Sequence, residues 1–253
     1  MQSYMTGQDK TYCKIKYAKV ILYDKIYETK GGSYCLWKKS KTSDIMIGLI
    51  CILVFSVAFN IYSICKIESY KYRIGQQSYV KIEDIRQRNE SNMEILNKSI
   101  DSNNIRNEEI LKLYKNYDVM SSDIIELWQQ YSEYRENSIT LFSKQIDANK
   151  VIQNDIHGKI KEYIFSTLNK EMKNEKSKLI LEGEDLKCFE AMEDMSKKIY
   201  DYFNEFNLDK LKGCSGENKE KKIVRYNYWI DMLNGIYDIS DDYADVQWNI
   251  EAV

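Results

Sequence analysis

Between Asp44 and Lys66 the chain runs for 21 residues without a charged side chain, IMIGLICILVFSVAFNIYSIC. As a helix this stretch measures about 30 Å, the thickness of a bilayer's hydrocarbon core. Its flanks suit membrane interfaces: Trp37, Lys38, Lys39 and Lys41 on one side, Tyr62, Lys66, Tyr70, Tyr72 and Arg73 on the other. Rings with a polar tip and long cationic side chains favour such positions. Core helices of soluble proteins seldom run this far without a charge. A single transmembrane helix is therefore predicted at Ile45–Cys65.

The segment reads as an uncleaved signal anchor. Ser56-Val57-Ala58 resembles a small-x-small cleavage site only loosely, and 44 preceding residues far exceed a signal peptide's leader. Cys65 follows Tyr62-Ser63-Ile64, without the small residue of a lipoprotein cleavage site. Near the segment, four basic residues (Lys30, Lys38, Lys39, Lys41) precede it and three (Lys66, Lys71, Arg73) follow. The positive-inside rule then places the tail in the cytoplasm and the body outside the cell membrane.

The formal charge of −2 hides an asymmetry. Residues 1–44 carry nine Lys against four acids, a net of +5; the apolar segment is neutral, which leaves −7 on residues 66–253. An acidic body without a basic stripe argues against a nucleic-acid partner. Proline is absent, where average usage would place roughly a dozen. Long helices exclude it, and so does an AT-rich coding bias, so its absence supports helices only modestly.

The expected fold class is all-α, in four stretches. Residues 1–44 form a short basic tail, in which Cys13, Ile15 and Tyr17 alternate with Lys14 and Lys16 before a Gly31-Gly32 turn, the pattern of a small β-hairpin. Residues 45–65 are the transmembrane helix, residues 66–138 a helical stalk, and residues 139–253 a helical hairpin or bundle with an aromatic-rich C-terminus. Three-four apolar spacing carries the helices, through Ile82, Ile85, Met93, Leu96, Ile100 and Ile110, then Ile139, Phe142, Ile146, Ile156, Ile160, Tyr163, Met172 and Leu179. A second run passes through Phe189, Met192, Ile199, Phe203 and Phe206. Breaks are expected at Asp101–Asn104, near Ser121–Asp123, at His157-Gly158, at Glu182–Glu184 and at Gly213–Gly216, with a last helix over about 219–238.

Asn89, Asn103 and Asn107 share the apolar stripe of the stalk. A buried Asn is tolerated in a helix seam where it meets its counterpart across the interface. This predicts a parallel coiled-coil homo-oligomer whose seam includes Ile82, Ile85, Asn89, Leu96 and Ile100.

Sites of chemistry are hard to find. The six cysteines include no CxxC pair and none lies near His157, so no zinc site is expected. A Cys188–Cys214 disulfide would need a taut return of the chain after a helix about 27 Å long. His157 reads as part of a solvated helix face. The acidic run Asp238, Asp241, Asp242, Asp245 lacks the spacing of a calcium loop. Asn89-Glu90-Ser91 and Asn97-Lys98-Ser99 match glycosylation acceptors, relevant only in a eukaryotic lumen. There is no glycine-rich phosphate loop and no G-x-S-x-G. Tyr226, Trp229, Tyr237, Tyr243 and Trp248 suit either a bundle core or a surface for a partner protein.

These readings point to a membrane-anchored helical interaction or assembly protein of the cell envelope, not an enzyme, using no metal and no cofactor. Its expected partners are the membrane, other envelope proteins and a second copy of itself. The alternative is a single-pass sensor whose body binds a ligand or partner. Its tail is too short for a kinase or cyclase, so it would dock a cytoplasmic partner.

Overall fold

A computed structural model describes residues 42–136, 155–248 and 250. The N-terminal hairpin expected over residues 11–37 and the stripe residues Ile139, Phe142 and Ile146 lie outside them. The chain divides into two units, residues 1–63 and 64–253. The described residues are all-α: six helices and one two-stranded ladder. In chain order these are α1 (Thr42–Asp101), β1 (Asn104–Arg106), α2 (Asn107–Glu136), α3 (Ile156–Lys173), β2 (Lys178–Ile180), α4 (Gly183–Lys210), α5 (Gly216–Arg225) and α6 (Tyr228–Asp241).

Helix directions in the second unit follow from side-chain pairs. Asn116 donates to Asn92 (2.8 Å), Lys81 pairs with Asp123 (2.8 Å), and Ser78 donates to Gln130 (2.7 Å). Numbers rise along α2 as they fall along α1, so the two are antiparallel. Ser121 with Asp155, Asp118 with Lys161 and Tyr114 with Phe165 place α3 antiparallel to α2 in the same way. The ladder closes one end of this bundle. Asn104, Ile105 and Arg106 pair antiparallel with Ile180, Leu179 and Lys178, and Ile105 and Leu179 turn into the core.

Local chemistry explains the ends. Asp155 caps α3 by accepting from the Gly158 N–H (2.8 Å), while Lys170 and Lys173 lie in its last turn, where cations favour the helix dipole. Glu108 and Glu109 open α2. Asn103 turns the chain from α1 into β1 at φ 51°, a left-handed conformation that Asn adopts more readily than most residues.

Along α1 the buried positions Ile74, Ser78, Ile82, Ile85, Asn89, Asn92, Leu96 and Ser99 follow three-four spacing, with Gly75 buried beside Ile74. They face the chain itself. Ile82, Ile85 and Leu96 join Ile110, Tyr117, Ile160, Phe189, Ile199 and Trp229 in one hydrophobic cluster. Residues from both sides of the expected boundary at 138/139 thus share a core, and the segment expected as a stalk is packed into the body.

The residues of the expected oligomer seam are packed within their own chain. Asn89 finds its partner inside the chain, donating to the Ser196 carbonyl of α4 at 2.7 Å, and Asn107 donates to the Lys176 carbonyl at 2.8 Å. Ile82, Ile85, Asn89 and Leu96 are fully covered, and Ile100 is half-buried against the cluster. Three-four spacing marks a covered face without saying which chain covers it.

The breaks at Asp101–Asn104, Glu182–Glu184 and Gly213–Gly216 occur. The one near Ser121–Asp123 does not. Those polar side chains reach Asp155 and Lys81 instead of capping their own backbone, and α2 runs through. His157-Gly158 opens α3 rather than weakening its interior. The single last helix is two, split where Asn227 takes φ 56° between α5 and α6.

Candidate functional surfaces

The apolar stretch of α1 is the first. From Ile45 to Tyr62 every residue is exposed, and none of the span's most apolar window is buried. One helix of the described chain is thus long and apolar enough to cross a membrane.

The C-terminal aromatics mostly serve the core. Trp229 and Tyr243 are buried. Tyr237 packs edge-on to Trp128 at 5.9 Å, and Trp248 meets Tyr163 at 5.9 Å. Tyr243 donates to Asp194 at 2.5 Å beneath the Lys198 ammonium. Of the five residues considered for a partner surface, only Tyr226 is exposed, at 55%.

His157 is not on a solvated face. It is 2% exposed, its ring lies 6.1 Å from that of Tyr117, and Nε2 is 3.1 Å from the Ser240 hydroxyl of α6. Burial opposes the charged imidazolium and lowers its pKa to about 4, despite the nearby Asp155 carboxylate. A single His flanked by Asp and Lys gives no sequence cue to this, because Ser240 lies 83 residues downstream.

Cys188 and Cys214 are not bridged to one another; Cys188 is buried in α4, 3.8 Å from the Gln247 carbonyl. Asp238, Asp241, Asp242 and Asp245 are exposed, and among the described residues no group of three or more His, Cys, Asp or Glu is arranged to hold a metal. Asn89 is buried, so of the two glycosylation motifs only Asn97 presents its side chain.

Two concave surfaces escaped the sequence reading. One is a polar cleft of about 660 Å³ between α3, β2 and the start of α4. Tyr163 donates there to Asp185 (2.7 Å), and burial followed by that carboxylate raises the pKa of the phenol. Glu171 also lines the cleft at 3% exposure, with Oε1 4.0 Å from the Lys176 ammonium and Oε2 without a hydrogen-bond partner. A buried carboxylate looks like any other Glu in sequence. The other is a groove of about 640 Å³ lined by Glu68, Lys71, Tyr72, Tyr134, Lys221, Val224, Arg225 and Asn227. Its walls come from three helices and a turn far apart in the chain, which no motif spacing links.

No protein-family model, curated protein or solved structure matches this chain.

Proposed function

We propose that the protein is a single-pass, membrane-anchored helical protein of the cell envelope whose body acts by binding other proteins rather than by catalysis. The exposed apolar helix carries this reading. Twelve large side chains from Ile45 to Ile61 stand at least 45% exposed. Each is worth roughly 1.5–3 kcal/mol when withdrawn from water, and soluble monomers do not leave so long an apolar surface uncovered. A bilayer covers it without any partner chain. The body behind it has its own core and an acidic surface, which suits display of a rigid helical scaffold.

Carbonate extraction tests the anchor. The full-length chain should stay with the membrane pellet, and deletion of residues 45–65 should release it. Full-length protein in the supernatant overturns the reading. The excess of four basic residues before the segment over three after it favours a body outside, so protease added to intact cells should remove the body and spare the tail; protection of the body until lysis reverses the topology.

A sensor is the second reading, favoured by the polar cleft with its half-paired Glu171. It predicts that a small polar ligand raises the thermal midpoint of the wild type and not of Glu171→Gln.

A further inference from the structure

Charge in the body is unevenly placed. Residues 66–73 and 208–228 hold nine Lys and Arg against four acids, while residues 66–253 together carry −7. The fold brings these two basic stretches side by side. Gln76 donates to Glu220 (2.9 Å) and Lys219 donates to Glu83 (2.7 Å), which lays α5 along α1 just beyond Arg73. The groove of about 640 Å³ lies between them.

Its lining has the composition of an anion site with an apolar wall. Lys71, Lys221 and Arg225 bring three cations, and Val224 and the Tyr134 ring form the less exposed side. Glu68 is the one acid there, 3.7 Å from Lys71. Lys221 pairs with Glu217 at 2.6 Å, but both are well exposed, and such pairs exchange partners at little cost. Exposed Tyr72 lines the same groove. Glu68 follows Cys65 by three residues of the same helix, about 5 Å of rise.

We propose that this groove holds the phosphate of an anionic phospholipid from the bilayer that contains Ile45–Cys65. The proposal rests on the anchored reading above. Cations beside an apolar span meet lipid phosphates at the headgroup level, and each is worth roughly a fivefold shift in population at an anionic surface. The groove thereby fixes the body against one class of lipid.

The test uses the full chain in vesicles of phosphatidylcholine alone and of phosphatidylcholine with one third phosphatidylglycerol. Amide hydrogen exchange is followed over residues 66–73 and 216–228. Phosphatidylglycerol should slow exchange there by at least about tenfold, high salt should reverse the protection, and the triple change Lys71→Gln, Lys221→Gln, Arg225→Gln should abolish it. Exchange that is equal in the two vesicles, or protection that survives the triple change, overturns the proposal. So does equal protection by inorganic phosphate on the detergent-solubilised chain, which would make the groove a site for soluble anions. In the first two outcomes the chain is still in the bilayer, and the third is read in detergent, so none of the three touches the anchored reading. A chain that enters neither vesicle removes anchoring and the lipid site together.

Discussion

His157 turns burial into a dependence of stability on pH. Its imidazole titrates near 4 in the folded chain and near 6.5 when exposed, so the unfolded state takes up the proton first as pH falls. Stability contributed by the neutral ring is complete above about pH 6.5 and is lost progressively down to about pH 4, a total of about 3 kcal/mol for a fully buried group. The carboxylates act lower. Glu109, held near pKa 2 by hydrogen bonds from Arg106 and Lys98, loses its contribution only from about pH 4.5 downward. Denaturant unfolding at pH 7 and pH 5 should show the wild type losing about 2 kcal/mol, and His157→Gln, already weaker at pH 7, losing much less. An equal loss in both would place the titration elsewhere. At this scale the sequence is least informative: what decides the behaviour of His157 is its burial, at 2% exposure, between Tyr117 of α2 and Ser240 of α6.

Turns and close approaches set the limits of the elements. Asn103 is exposed and left-handed, so Asn103→Gly should change stability by less than about 0.5 kcal/mol. Asn103→Ala should cost about 1 kcal/mol, because it keeps the Cβ that the left-handed backbone disfavours and loses the polar side chain that makes this conformation tolerable for Asn. Thermal unfolding of the two variants separates conformational strain from lost contacts, since neither replacement keeps the amide. Gly75 marks where α1 meets α5. A Cβ there would lie 2.9 Å from Val224 Cγ1 and 3.6 Å from Trp229 Nε1, so Gly75→Val should destabilise by about 1–3 kcal/mol. Hydrogen exchange should show the loss first in residues 216–229. The apolar period foretold most of these helices. It missed the continuity of α2 and the split at Asn227, because the same Asp or Asn can cap, bridge or turn according to what the rest of the chain brings near it.

For the whole molecule, the cluster shared by α1, α2, α3, α4 and α6 makes residues 64–253 one body. Ile85→Ser should therefore unfold that body rather than dissociate an oligomer. Loss of the buried side chain and burial of a hydroxyl together cost about 3–5 kcal/mol, comparable with the stability of many domains. Circular dichroism with sedimentation checks this. The expected result is a helical wild-type body that sediments as a monomer and a variant that has lost its helical signal. A folded, dissociated variant would restore the seam between chains.

Local chemistry by itself determined that the chain is helical, that one stretch of 21 uncharged residues can cross a bilayer, and that basic charge gathers before it and acidic charge after. Each of these depends on neighbours within a few turns, where backbone hydrogen bonding and transfer from water act without reference to the rest of the fold. Tertiary structure alone decided that the Asn-rich stripe of α1 pairs within its own chain, that Trp229 is interior and Tyr226 is not, and that Lys71 and Arg225 share a groove. Those outcomes depend on which distant surface arrives to satisfy a donor, cover a ring or leave a charge in water. Periodicity reports only that some surface must.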